Sequence, residues 1–414
     1  MAKPPVIGDQ RLVKHINRMA LLRLLRGDAG LSRADLAVRS GLTRSTVSVL
    51  TNELIEEGWL EESPAQVTGL PGRRPTPLRL DGRRLRLLGA ELGPDAICVV
   101  ATNIGGEVLD TRLAPLHSKE PKAACRQLVR MVGELSTRVV GGGAQLLGIG
   151  VAMPGAVDQR SGVLQFAPNI GWRNLAVGRV LDAALVNAGL AEVPVYFHNE
   201  ADLAAVGETE FGARPVNDPL VYISCGVGVG AGIILDEALF TGATGTAGEI
   251  GHTTLVQGGE PCACGRLGCA EAYVGLRAIA AAAGSLHQGV IDRAGLRARM
   301  GSRHAGTRAA FAHAGRSLGV LMQNIWATLN PGTIVLGGET LTLGGETFLD
   351  AATGVLDDVA ARIGVAPPSV RLARHAERAA AIGGAAYVLH AILNPQLPAL
   401  HTRDGGPERQ RRAA

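Results

Sequence analysis

At 414 residues the chain is too long for one ordinary core and implies two or three domains. Its residues are 46% hydrophobic yet only 3% aromatic, with 56 glycines, a balance suited to α/β layers joined by tight turns. No apolar run reaches the length of a membrane span, residues 1–9 lack an apolar signal core, and three scattered cysteines (Cys98, Cys125, Cys225) beside three clustered ones make no disulfide framework, so a cytoplasmic protein with no membrane partner is expected.

The charge is unevenly spread. Through Arg86 there are 15 Lys and Arg against 9 Asp and Glu, and the remainder holds 26 against 28. A basic first fifth is what a polyanionic partner requires. Apolar residues at Leu12, Ile16, Met19, Leu22 and Leu25 mark one face of a helix over 12–26. Ser32 and Asp35 form a capping-box variant that opens a second helix, and Thr43 caps a third that runs to about Glu57. Val47, Leu50 and Leu54 face inward on the third, which leaves Arg44, Ser45, Thr46, Ser48 and Asn52 outside. Helix, short glycine-containing turn, helix is the helix-turn-helix arrangement, whose second member enters the major groove of DNA by its first turns. Gly58-Trp59-Leu60 then starts a winged hairpin that returns at Pro77–Leu80, with Arg73 and Arg74 on its stiff tip. Arg33, Thr43, Arg44, Ser45, Thr46, Ser48, Asn52, Arg73 and Arg74 are the candidate DNA contacts of a winged helix-turn-helix domain over 1–84. A plain three-helix bundle with a solvated charged face is the alternative.

From Arg86 the pattern turns to α/β. Strands are expected at 87–92, 96–101, 105–110, 146–152 and 195–198, with a helix over 121–139. Asn199 and Glu200 follow the strand at 195–198, at the end where α/β folds gather ligand contacts. A second strand-rich block opens at 219–224 and runs into the alternating glycines 226–232, in isolation a weak phosphate signal. A helix at about 307–329, a turn and strand at 331–338 and a last helix at 383–393 complete the body. The polar, arginine-rich stretch 399–414 is expected to be disordered.

The chemistry concentrates at 246–271. His252, Cys262, Cys264 and Cys269 supply the donors of a closed Cys₃His zinc site, which leaves no position for a catalytic water and is therefore structural. Buried free thiols are the bland alternative. Glu249 and Glu271 flank the set. A carboxylate accepts two hydroxyl hydrogen bonds, and a metal-bound imidazole keeps one ring nitrogen to donate, so Glu249, His252 and Glu271 suit a polyhydroxylated ligand such as a sugar. The alternative is two solvated surface charges.

Glu-x-Gly-His followed by Cys-x-Cys-Gly-x-x-Gly-Cys-x-Glu resembles the signature of the ROK family of sugar kinases and sugar-responsive repressors, and the resemblance runs from about Leu12 to His390. It implies a two-lobed actin-like, sugar-kinase (ribonuclease H-like) α/β fold behind the winged head. The first lobe would span 85–197, completed by a C-terminal helix at about 383–395, and the second 198–382 with the zinc loop and a dimerisation surface. It also implies Asn169, Asn199, Glu200, Glu249, His252 and Glu271 as sugar contacts. Family kinases place an aspartate base where Glu200 stands, and open their fold with an Asp-x-Gly-Gly-Thr phosphate turn where this chain has Glu91-Leu92-Gly93-Pro94-Asp95. Proline removes an N–H donor there and aspartate adds negative charge. The expectation is a repressor and not an enzyme: a homodimer or homotetramer on double-stranded operator DNA, nucleoid-associated, with a small sugar or sugar-phosphate effector. An ATP-dependent sugar kinase that keeps a DNA-binding head is the alternative.

Overall fold

The computed structural model describes residues 10–28, 30–63, 76–159, 161–212 and 217–394; Arg73, Arg74 and the stretch 399–414 lie outside them. The head comprises α1 (Gln10–Gly27), α2 (Arg33–Ser40), α3 (Arg44–Glu56) and a hairpin of β1 (Leu60–Glu62) antiparallel to β2 (Leu78–Leu80). Its core is Met19, Leu22 and Leu25 of α1, Leu36 of α2, Val47, Leu50 and Leu54 of α3, and Trp59, Leu60 and Leu78. The α1 face differs from the expected one: Leu21 is fully buried, whereas Ile16 is 39% exposed, because the first turns of α1 overhang the bundle. The capping box forms as read. Ser32 N–H donates to Asp35 Oδ2 at 2.9 Å and Asp35 N–H to Ser32 Oγ at 3.3 Å. Ser32→Ala is expected to weaken α2 by about 1 kcal/mol, read as roughly fivefold faster hydrogen exchange along the helix.

In the first lobe β3 (Leu85–Leu92), β4 (Ala96–Asn103) and β5 (Val108–Pro115) form a meander. The third strand starts later than expected, because Asn103 Oδ1 accepts from the N–H of Gly105 and of Glu107 and makes that stretch a turn. α4 (Pro121–Val139) returns the chain to β6 (Gln145–Met153), parallel to β3. A small sheet of β7 (Ala156–Asp158), β8 (Val163–Ala167) and β9 (Trp172–Leu175) follows, then α5 (Val177–Asn187) and β10 (Val195–Asn199), giving the order β10-β6-β3-β4-β5.

α6 (Glu200–Glu210) leads into the second lobe, whose sheet combines β11 (Leu220–Cys225), β12 (Val229–Leu235) and β13 (Ala238–Leu239). The short helices α7 (Glu271–Val274) and α8 (Leu276–Ala282), the ribbon β14 (Leu286–His287) and β15 (Val290–Ile291), and α9 (Arg293–Gly301) come next. α10 (Ala305–Leu329), β16 (Thr333–Gly337), α11 (Glu339–Ile363) and β17 (Ser369–Leu372) complete the order β13-β12-β11-β16-β17. The last helix, α12 (Ala379–Leu393), crosses back onto β3 and β6.

Four layers thus stack as sheet, α12, α6, sheet, and glycines let them approach. A Cβ on Gly89 of β3 would lie 1.8 Å from the Ala381 carbonyl of α12, and one on Gly232 of β12 2.3 Å from the Ala201 carbonyl of α6. Among the described residues no helix is long and apolar enough to cross a membrane.

Candidate functional site

His252 closes a short 3-10 turn, Ile250–His252, and the three cysteines follow on a loop turned by Gly265 and Gly268, both at positive φ. The four donor atoms lie within 4.8 Å of one another. Cys262 Sγ is 3.6 Å from His252 Nδ1, and Cys264 Sγ is 3.7 Å from Cys269 Sγ. A tetrahedron with metal–sulfur bonds of about 2.3 Å has S···S edges of about 3.8 Å, so the donors are spaced to hold one four-coordinate metal ion. Burial lowers the His252 pKa and keeps the ring neutral, the form that ligates a metal. Because Nδ1 faces the sulfurs, Nε2 turns outward, 3.7 Å from Glu249 Oε2.

That outward side is the wall of a cleft of about 460 Å³ between the lobes. The C-terminal ends of β3, β6, β10, β11 and β16 converge there, as open α/β sheets gather ligand contacts. All six residues expected to contact a sugar line it: Asn169, Asn199, Glu200, Glu249, His252 and Glu271. They differ in freedom. Asn199 is partly committed, since its Oδ1 caps α6 at Ala201 N–H (2.7 Å) and its Nδ2 donates to the Gly155 carbonyl (2.8 Å). Glu271 Oε2 accepts from Val229 N–H at 3.1 Å, which ties the metal loop to the glycine turn between β11 and β12. A Cβ on Gly228 of that turn would lie 2.8 Å from Asn169 Nδ2 and 2.9 Å from Glu271 Oε2. Gly228 is therefore needed for backbone to pass close beneath this array, whereas a Cβ on Gly226 or Gly230 would meet nothing nearer than 3.9 or 3.8 Å.

Burial dominates the electrostatics. It raises Glu200 to about 8, helped by the charges of Glu91, Glu249 and Glu271, and Glu249 to about 7, helped by Glu271. Glu91, which burial also raises to about 7, is a lining residue that the sequence reading treated only as a damaged phosphate turn. Carboxyls that share a proton load near neutral pH can both donate to and accept from sugar hydroxyls. Several contacts among the described residues bridge the cleft rims, the Phe166 and His252 rings 5.9 Å apart among them. Gln165 Nε2 donates to the Thr244 carbonyl at 2.8 Å, and Asp95 of the first lobe meets Arg293 Nη2 of the second at 3.3 Å. Arg293 and Glu339, also lining residues, carried no sequence signal, since 198 positions separate Asp95 from Arg293.

In the head, Thr43, Arg44 and Ser45 are exposed at the N-terminus of α3, with Thr46 and Ser48 half-buried beside them. Thr43 Oγ1 caps Thr46 N–H, and Ser48 Oγ donates to the Arg44 carbonyl. Arg33 and Asn52 sit differently. The Arg33 guanidinium donates to Asn52 Oδ1 (2.8 Å), Thr51 Oγ1 (3.1 Å) and Glu62 Oε1 (2.6 Å), a network that joins α2, α3 and the hairpin. Among the candidate contacts within the described residues, Arg44 has an exposed guanidinium with no described partner, whereas that of Arg33 is engaged.

A model of the ROK family matches residues 87–391, and a winged helix-turn-helix DNA-binding model matches residues 15–61. The chain is 33% identical over 353 residues to the xylose repressor of Caldicellulosiruptor bescii, covering 80% of this chain and 85% of that protein. It is 29% identical over 274 residues to the DNA-binding transcriptional dual regulator NagC of Escherichia coli, covering 66% of each. Among solved structures, a ROK family transcriptional regulator, a homologue of the E. coli MLC protein, superposes with a TM-score of 0.75 at 22% identity over 92% of this chain and 97% of that one. The ROK hexokinase from Thermus thermophilus superposes with a TM-score of 0.61 at 28% identity over 75% of this chain and 99% of that one.

Proposed function

This chain belongs to the ROK family, and we propose that it is a cytoplasmic, sugar-responsive repressor that dissociates from operator DNA when a sugar fills the interlobe cleft. One observation carries the reading: the polar array suited to sugar hydroxyls sits in a cleft joined to a winged DNA-binding head. The relatives named xylose repressor and NagC support it. In this reading the cluster of His252, Cys262, Cys264 and Cys269 holds a structural zinc ion, and Glu249, Glu271 and the outward Nε2 of His252 bind hydroxyls. A homodimer would present two heads to a pseudo-palindromic site.

The charges in the cleft favour a neutral, unphosphorylated sugar. Among the described lining residues the one Lys or Arg is Arg293, and its guanidinium is spent on Glu339 (2.7 Å and 3.0 Å) and Asp95. At the N-terminus of α6 the Ala201 N–H is already taken by Asn199 Oδ1, and in the first turn of α11 Glu339 places a carboxylate where a phosphate would approach. The same features speak against Mg-ATP and hence against the kinase alternative. That alternative retains Glu200 at the position of the base and the likeness to a hexokinase. Turnover of Mg-ATP with any hexose or pentose at ordinary kinase rates, about 1 per second or more, would make it the better reading.

The deciding experiment is an operator mobility shift at fixed salt, titrated with xylose, glucose, N-acetylglucosamine and their phosphate esters. A neutral sugar that weakens operator binding supports the proposal; no response to any of them sinks it. Arg44→Ala is expected to lower operator affinity about tenfold, from a lost base or phosphate contact. Equal affinity in a filter-binding titration would contradict that contact.

A further inference from the structure

The head is attached to the body by apolar packing of α1 on α12, within one shared core, and at two further places. One is covalent, where β2 continues through Asp81–Arg84 into β3. The other is a buried polar junction. Arg26 of α1 pairs with Glu210, the last residue of α6, and Glu210 Oε1 accepts from His390 Nδ1 of α12 at 2.7 Å. Beside it, Arg23 of α1 donates to Asn394 Oδ1 at 3.0 Å, and Asn394 Nδ2 donates to the His390 carbonyl at 2.9 Å. Glu210 is 2% exposed and His390 3%, against 12% for Arg26, so the body side of the junction is buried and the head side partly so.

The same helix begins in the cleft. Asn199 caps α6 and Glu200 is its first residue, while every residue from Ala201 to Glu210 is buried. Eleven residues at 1.5 Å each make a rod of about 16 Å from the ligand array to the head. The rod is locked laterally: Gly207 packs against Gly383, and a Cβ on Gly383 would lie 1.9 Å from the Leu203 carbonyl. Such a packed helix moves as a body and does not bend, because close-packed interiors pass displacement on.

We propose that Glu210 is the positioning residue that couples the cleft to the DNA-binding head, with α6 as the rod and Arg26 as the receiver. The inference rests on the reading of the cleft as the effector site. A ligand that draws Glu200 and Asn199 toward Glu249 shifts α6 along or about its axis. Glu210 carries that shift to Arg26, and the head pivots on its covalent link at residues 81–84. Without the Arg26–Glu210 pair the head stays attached through its link, through Arg23 and through the packing of α1 on α12, but it no longer follows α6.

The test uses the full chain and two variants that break the pair from opposite sides, Glu210→Gln and Arg26→Gln. Three quantities are measured for each: sugar affinity by calorimetry, operator affinity without sugar, and the factor by which saturating sugar weakens operator binding. The expected result is sugar affinity within threefold of the parent, operator binding retained, and a coupling factor reduced at least fivefold in both variants. A merely structural role would leave that factor unchanged where the protein folds, and an unchanged factor in Arg26→Gln, which leaves the body's own residues intact, overturns the proposal. Loss of sugar binding in both variants also overturns it, because the pair would then maintain the cleft and not transmit from it. If the parent protein binds sugar with no effect on operator affinity, the repressor reading itself fails and takes the coupling with it.

Discussion

Cys264→Ser is expected to empty the metal cluster and abolish the response to sugar while operator binding in the absence of sugar stays within about threefold. A serine hydroxyl does not ionise at neutral pH as a metal-bound thiol does, and three donors no longer close the tetrahedron. The consequence for the ligand follows from where the acids are anchored. Glu271 stands two residues beyond Cys269, and Glu249 three residues before His252. Released from the metal, the loop withdraws Glu249, Glu271 and the His252 Nε2 donor together. Three hydrogen bonds at about 1 kcal/mol each are worth roughly 3 kcal/mol, or more than 100-fold in sugar affinity. The head should be spared, since its core is built from α1, α2, α3 and the wing, none of which the metal loop supplies. Native mass spectrometry reads the metal, expected to fall from about one ion per chain to below about a tenth, and calorimetry reads the sugar. Cys125→Ser, a buried thiol on α4 outside the cluster, should keep the metal. Full metal occupancy in the Cys264 variant, or undiminished sugar affinity, would contradict the placement of the acids by the metal.

What was legible in the sequence was local. The four metal donors fall within 18 residues and carry their turns with them, so spacing and donor chemistry sufficed. α2 declared itself by its capping box, and α4 starts at Pro121 as expected, with Glu120 found as its cap. What stayed hidden depends on tertiary neighbours. α6 has no polar face to read, because Asp202, Glu208, Thr209 and Glu210 are as buried as its alanines. α11 is broken in sequence by Gly344 and Gly345, and Gly345 does leave helical geometry, at φ 53°. The apolar spacing of α1 suggested one continuous stripe, yet only its second half is buried in the bundle, and the first half meets α3 through Lys14 and Glu53. The junction of Arg26, Glu210 and His390 joins three elements spread across the chain, and no window of sequence contains it. Glu91 shows a different failure: reading it against a kinase turn recorded what was lost there and overlooked the carboxyl that remained in the cleft.

Gly383→Ala should cost the body about 3 kcal/mol or more, although alanine is the better helix former. Its intrinsic preference over glycine is worth about 1 kcal/mol within α12. Against that, the added Cβ would stand 1.9 Å from the Leu203 carbonyl oxygen and 2.2 Å from its carbon, both backbone atoms of α6. No rotamer change relieves a contact between two backbones. The two helices must separate, and overpacking of this kind costs about 1–3 kcal/mol even where side chains can yield. The loss therefore wins. Gly133→Ala in α4 supplies the control, because a Cβ there meets nothing within 4 Å and only the helix preference operates. The two variants should move the urea midpoint in opposite directions, Gly133→Ala upward by up to about 1 kcal/mol and Gly383→Ala downward by about three times as much. The same contact ties stability to signalling. α6 is held between α12 and β12 by glycine contacts on both sides, so spreading α12 from α6 loosens the rod whose ends are Glu200 and Glu210. Gly383→Ala should accordingly blunt the sugar response at temperatures where the protein is still folded, whereas Gly133→Ala should leave it intact; equal responses in both would mean that close packing of the two helices is not what transmits it.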